Sequence, residues 1–462
     1  MPSILALFLC FIFCISLYIK DSKNESDVSV ALWIPTLWLM LCGSRSLDLW
    51  FNPSRDIVTG EGGSIDRIFL ITLITITSLI LYQRKVDWHK IYKGNAWILI
   101  LYAYMLISIV WTESPLISLK RWFRTLGDLM VVMVILTESN PFKAIVTAYK
   151  RCFILLIPLS VVLIKYFRQY GTQEPKHFAS NFWVGVTTHK NSLGLLAMLA
   201  ALLFLWNIFQ KDKKGKIVAI VYLIMIAYLL NGGGHTRSST AIVLIPIAVA
   251  AYLFMGKYKS RPERLLPVIV GAFVITLVIN VSAEFIFGAP IDEIISLAIG
   301  KDPTLTGRTL LWQELIALGR RHFFLGYGYE GFWTQPIMQY LKEVNDGIHS
   351  WGPSQSHNGY IEVFLNLGIL GLIFLGFVVI SAFKGTIKHF YQNFDYGRIR
   401  IVLLLILMFH NYSEASFTKP THLPWFTFLL VAVNVPYFEH SSSKSPVVAV
   451  REMKNNIVFE KA

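Results

Sequence analysis

Apolar runs of about 17–25 residues recur along this chain, and a run of that length crosses a bilayer as one helix. They fall at about 3–19, 28–43, 66–82, 96–111, 125–137, 151–168, 192–209, 217–230, 239–256, 266–283, 361–383, 399–413 and 424–438. Several are short or carry polar residues, so the pattern predicts about twelve or thirteen transmembrane helices. Of the 462 residues 55% are hydrophobic and only 15% charged, with a mean hydropathy of +0.55. A soluble domain could not hide that much apolar surface. The fold class is therefore all-α: a polytopic integral membrane protein with one large outer loop containing short helices.

The formal net charge of +14 would suggest nucleic acid in a soluble protein. Here the lysines and arginines mostly sit between apolar runs, as the positive-inside rule expects, and no nucleic-acid partner is implied. The basic connections at 83–93, 211–216, 257–264 and 384–400 all fall on one side by parity. That side is expected to be cytoplasmic. The N-terminus MPSILALFLCFIFCISLYI has no basic n-region and no A-x-A site, so it reads as a retained span. Cys10, Cys14, Cys42 and Cys152 lie in or beside apolar runs without metal spacing and read as small buried hydrophobes. Residues 1–438 form the expected membrane domain, with the large loop at 284–360, and 439–462 a flexible polar tail.

The opposite, outer face receives 44–65, 112–124, 170–191, 231–238 and 284–360. In the last, Thr306 could cap a helical run GRTLLWQELIALGRRHF, and Gly-rich turns follow at LGYGYEGFW. The segment ESPLISLKRWFRTLGD breaks the charge rule by placing Lys120, Arg121 and Arg124 outside. Either the helices are miscounted there, or these cations form a groove for an anionic head group.

Polar residues gather where the outer face meets the membrane. His357 opens a helix, and Asn358, Glu362 and Asn366 follow at four-residue intervals, along one stripe. A carboxylate inside a membrane segment costs about 2.5–3.5 kcal/mol on insertion scales, so it faces a cavity or a partner. LLLILMFHNYSEASF repeats the theme with His410, Asn411 and Glu414. Two such stripes can line a shared wet cavity, or can simply glue helices together. Arg237 ends the glycine-rich outer turn NGGGHTRSS, Arg308 stands near a helix start in the large loop, and His189 and Lys190 precede a span. An arginine fork suits two phosphate oxygens, and helix N-termini add backbone donors. Together with His357 these cations outline an anion site beside a base. Trp312, Tyr327, Tyr329, Phe332, Trp333 and Trp351 can stack on sugars, or can form the loop's own small core.

The segments GSRSLDLWF, KRWFRTLGD, GVTTHKNSLG, LTGRTLLWQELI, LGYGYEGFW and SHNGYIEVFLNLGILGL, in this order, resemble the O-antigen ligase and Wzy-type polymerase superfamily, especially its exopolysaccharide-production branch. The resemblance implies a bacterial inner-membrane glycosyltransferase of GT-C-like type, with its active site facing the periplasm. Its donor would be an undecaprenyl-diphosphate-linked glycan and its acceptor a second glycan or lipid A-core. Membrane lipids and other polysaccharide export components are the further partners it implies. By resemblance, Arg237 and Arg308 hold the diphosphate and His357 is the base. Lys190, Asn358, Glu362, Lys120, Arg121 and Arg124 are expected to touch substrate. No cofactor and no metal are expected, because the acid-x-acid triplet Glu25–Ser26–Asp27 falls inside and Asp292–Glu293 is an isolated pair. Polymerase is preferred to ligase because the outer face carries more cations than one diphosphate uses. A transporter of lipid-linked saccharide is the rival from another class, although this chain lacks two similar halves.

Overall fold

A computed structural model describes residues 2–24, 28–52, 63–84, 86–174, 181–209, 213–232, 238–260, 264, 267–268, 308–344 and 353–435. In chain order the helices are α1 (Ser3–Asn24), α2 (Trp33–Cys42), α3 (Leu47–Phe51), α4 (Ser64–Gln83), α5 (Trp88–Gly94), α6 (Ala96–Ser108), α7 (Pro115–Leu136), α8 (Pro141–Tyr166) and α9 (Arg168–Gly171). There follow α10 (Lys190–Phe209), α11 (Lys213–Asn231), α12 (Ser239–Gly256), α13 (Arg308–Arg320), α14 (Gln335–Val344), α15 (Gly359–Gln392), α16 (Phe394–Ser413) and α17 (Leu423–Ala432). Among the described residues the one strand pairing joins Thr172–Gln173 to Phe182–Trp183, antiparallel.

The all-α membrane architecture expected from the apolar runs is what the chain forms. Five described helices (α1, α4, α8, α10 and α15) are long and apolar enough to span a bilayer, and the sharply bent pair at Trp88–Trp111 makes a sixth if read as one span. Shorter apolar helices, α17 among them, complete the bundle. Helix α15 packs on α16 and α6, α10 on α11 and α12, and α1 on α8. Phe8, Ile12, Ile15 and Ile19 of α1 stay exposed, which suits a lipid-facing surface. The four cysteines are free and buried. The span expected at 266–283 and the tail 439–462 lie outside the described residues.

One expected outer loop is helical instead. Pro115 sits at the first turn of α7, where its missing N–H costs nothing, and the helix runs unbroken for 22 residues. Leu119, Trp122 and Leu126 recur on its packed face, so the cations between them did not interrupt it. Lys120, Arg121 and Arg124 therefore project from the first half of a long helix.

Helix α15 is broken at Gly368, which takes φ +64°. Groups freed by the break are taken by the chain itself. The Tyr327 N–H donates to the Leu365 carbonyl (2.9 Å), the Ile369 N–H to Phe323 O (2.9 Å), and the Tyr104 hydroxyl to Leu367 O (3.0 Å). Gly326 lies against the same break, where a Cβ would come 2.5 Å from the Asn366–Gly368 backbone. The turn 323–329 is thus wedged into the helix it precedes. Behind it, α13 and α14 share a small apolar core of Leu311, Leu315, Leu318, Phe332, Leu341 and Leu365.

The N-terminal ends of α10 and α15 and the C-terminal end of α16 meet at one end of the bundle; Arg84, Lys257, Lys259 and Arg398 lie at the other. With the native thiols buried, a single introduced cysteine reports sidedness cleanly. Gln339→Cys should react with an impermeant thiol reagent added outside cells with a permeable outer envelope, and Lys259→Cys only after lysis. The opposite pattern would invert the orientation read from the basic connections.

Candidate active site

The site is built from the short approach to α15. Asn358 caps that helix, its Oδ1 accepting from the Tyr360 and Ile361 N–H groups at 3.0 and 3.1 Å. One turn on, the buried Glu362 carboxylate accepts from Trp333 Nε1 (2.6 Å) with one oxygen and from the Ser356 N–H (3.0 Å) with the other. Asn366, a further turn along, accepts from the Phe332 N–H at 3.3 Å and donates to Glu362 O at 3.0 Å. The polar stripe foreseen on this helix is real, but Glu362 and Asn366 are turned to the large loop and hold it down. Trp312 of α13 adds a bond from Nε1 to Ser356 O (2.8 Å).

Between these anchors His357 adopts φ +52°, a left-handed conformation that is uncommon outside glycine. Its Nδ1 faces Glu414 Oε2 at 3.4 Å and Gln355 Nε2 at 3.5 Å. Glu414 follows the last turn of α16 and also accepts from Asn191 Nδ2, on the first turn of α10. Lys419 Nζ donates to Gln355 Oε1 at 3.0 Å. The Asn191 N–H donates to His189 Nδ1 (3.2 Å), and Lys190 lies 4.2 Å over the Phe182 ring. Two helix N-termini, those of α10 and α15, thus converge on the His357–Glu414 pair. The start of α13 lies one turn before Trp312, about 6 Å along the axis. Their backbone dipoles favour an anion there.

The loop 414–422 that carries Lys419 is pinned from below. Asn411 Oδ1 accepts from the Ser416 and Phe417 N–H groups, both at 3.0 Å. The Tyr329 hydroxyl donates to Thr418 O (2.9 Å), and Asp128 accepts from the Thr421 N–H (3.0 Å) and Trp38 Nε1 (2.7 Å). Thr418 and Thr421, both β-branched, are held at φ +59° and +53°, and Glu330 at +54°. With His357, all four left-handed non-glycine residues of the described chain lie in this region. Each costs about 1–3 kcal/mol, which persists only where the surroundings over-determine it. In this loop the imidazole of His422 is pushed down to about 3, first by burial and then by Lys419 and His410. It is neutral at physiological pH, leaving Lys419 as the loop's cation.

The sequence-derived candidates separate here. His357 and Lys190 come to the same end, Asn358 and Glu362 shape the loop, and Arg308 is the first residue of α13, its side chain lying outside the described residues. Arg237 lies outside them altogether. Arg121 meets Glu330 (3.3 Å) and also donates to that residue's carbonyl (3.2 Å). Burial raises the Glu330 carboxyl above the usual carboxylate range, while Arg121 and Lys419 pull it back. Arg124 is half-buried and Lys120 exposed. Sequence reasoning missed Asn191, Gln355, Lys419 and Glu330; Glu414 was noticed only as part of a stripe.

Residues 224–376 match the family model of O-antigen ligase, a segment that contains Arg237, Arg308 and His357. Over 358 residues the chain is 25% identical to the exopolysaccharide production protein ExoQ of Rhizobium meliloti (strain 1021), covering 75% of this chain and 79% of that protein. The chain is similar to the O-antigen ligase and polymerase superfamily. That likeness, with the apolar helices, supports a multi-pass membrane enzyme of the ligase/polymerase type. Asn191, Glu414 and Lys419 lie outside the segment matched to the ligase family.

Glu362→Gln tests whether the loop depends on that carboxylate. Glutamine keeps one acceptor oxygen but turns an NH2 group toward the other donor, leaving a buried donor unpaired at a cost of about 1–3 kcal/mol. The variant should insert normally yet show a lower Tm and weaker glycan transfer. Unchanged stability and transfer would mean that the two bonds do not hold the loop.

Proposed function

We propose that the protein polymerises undecaprenyl-diphosphate-linked repeat units of an exopolysaccharide or O-antigen at the periplasmic face of a bacterial inner membrane. The observation that carries this reading is the His357–Glu414 pair where α10, α15 and α16 meet, among groups suited to an anion. With Nδ1–H directed at Glu414, the Nε2 lone pair is left for an incoming hydroxyl. His357 takes the proton of the acceptor sugar hydroxyl as its oxygen attacks the donor's anomeric carbon. The bond from that carbon to the diphosphate oxygen breaks, and the lipid diphosphate leaves with the electron pair. Attack from the opposite face inverts the anomeric centre. Glu414 steadies the imidazolium that forms.

A diphosphate needs no general acid if its growing charge is met by fixed donors. Arg308 at the start of α13, Arg237, Lys190 and Lys419 are the residues assigned to it, and no metal is required. Lys120, Arg121 and Arg124 approach from α7, and Arg121 also faces Glu330. Glu362 and Asn358 act by positioning the loop.

Polymerase rather than ligase is supported by the likeness to an exopolysaccharide production protein over 75% of this chain. Transfer to lipid A-core is the second reading, favoured by the ligase family model over 224–376. A transporter is less well supported, because the break in α15 is filled by the chain's own turn. Lipid-linked repeat units given alone to the purified protein should grow into a ladder of longer lipid-linked chains. Product that forms only with added lipid A-core, one transfer per acceptor, would make it a ligase.

A further inference from the structure

At the end of the bundle opposite His357, a crevice of about 110 Å³ opens between α8, α10, α12, α16 and α17. Phe142, Leu203, Trp206, Ala248, Tyr252 and Leu403 are among its walls, and the lining is almost wholly apolar. Arg400 also reaches it, but this buried guanidinium already donates to the Val431 and Val433 carbonyls and to Asn434. The body of the crevice is therefore almost wholly apolar.

The rim is different. Arg398 lies 3.6 Å over the ring of Tyr252, a wall residue, and 4.9 Å over Phe394. Lys259 is exposed and lies 5.5 Å over the same Phe394 ring. Asp395 accepts from Arg398 at 3.0 Å and is the acid paired with this group among the described residues. The Nε–H of Arg398 is buried without an acceptor among the described residues. A buried donor without a partner is costly, and its complement is an oxygen anion.

We propose that this crevice is a site for an anionic glycerophospholipid of the leaflet opposite the His357 site. One acyl chain lies along the apolar body, and the phosphate is met by Arg398 with Lys259. Charge complementarity selects the head group: a basic rim between helices attracts anionic lipid, at about 1 kcal/mol for each lysine or arginine near the surface. A zwitterionic lipid of the same chain length gains the apolar contact but little from the rim. The site is separate from glycan transfer and does not depend on the reading proposed for it.

Native mass spectrometry of the full-length protein, given equimolar phosphatidylglycerol and phosphatidylethanolamine, tests this. Phosphatidylglycerol should be the lipid retained, and Arg398→Gln should lower its occupancy about five-fold. Ala248→Trp, which fills the crevice from a buried wall position, should remove it in protein that still folds. Should Ala248→Trp fail to fold, Arg398→Gln decides alone. Equal retention of the two lipids, or an Arg398→Gln protein that holds phosphatidylglycerol as the parent does, would overturn the proposal. So would displacement of phosphatidylglycerol by equimolar undecaprenyl phosphate, which would assign the crevice to the isoprenoid carrier.

Discussion

A carboxylate set inside a membrane helix must find donors, and Glu362 finds two that belong to the large loop. One oxygen takes the indole N–H of Trp333 and the other the backbone N–H of Ser356. These bonds tie the loop to α15 on the approach to His357. His357 is the next residue after Ser356, and its left-handed φ is imposed by anchors on either hand: Glu362 and Trp312 before it, the Asn358 cap after it. Without the buried carboxylate, the loop has its small apolar core but no fixed register against the membrane helices.

The same economy appears across the site in the loop 414–422. Asn411, Tyr329 and Asp128 are buried polar groups on three different elements, and each satisfies itself on the backbone of that loop. Their pairing removes the penalty of burying them and places Glu414 and Lys419 against His357 and Gln355. Strain at Thr418 and Thr421 is the local cost of that placement. A preorganised pair of this kind is suited to proton transfer, because little has to move when the acceptor arrives.

Much of this was legible in the sequence, for identifiable reasons. Hydropathy gave the membrane class because each apolar run is a local property. Spacing by four gave the stripe Asn358–Glu362–Asn366, because a helix repeats every 3.6 residues. What it could not give was the direction of that stripe: Glu362 looks the same in sequence whether it faces substrate or a tryptophan 29 positions away. Glu414 and Asn191 meet across 223 positions, and Lys419 and Gln355 across 64. No local period reports such contacts. The stretch FTKPTHLP between two apolar runs did carry a signal, since a lysine among turn formers at the outer face marks a loop worth weighing. The α7 helix was missed at its start because charged residues masked an apolar face that only the helical period reveals.

The central claim is that His357 removes the proton from the acceptor hydroxyl. It is tested most directly by release of undecaprenyl diphosphate from lipid-linked repeat units by purified His357→Ala protein, beside the parent at equal concentration. The contacts of His357 with Glu414 and Gln355 are long, so the variant should insert and remain folded while release falls by about 10²–10⁴-fold. Release within a few-fold of the parent, from protein of unchanged Tm, would contradict the account and remove His357 as the base.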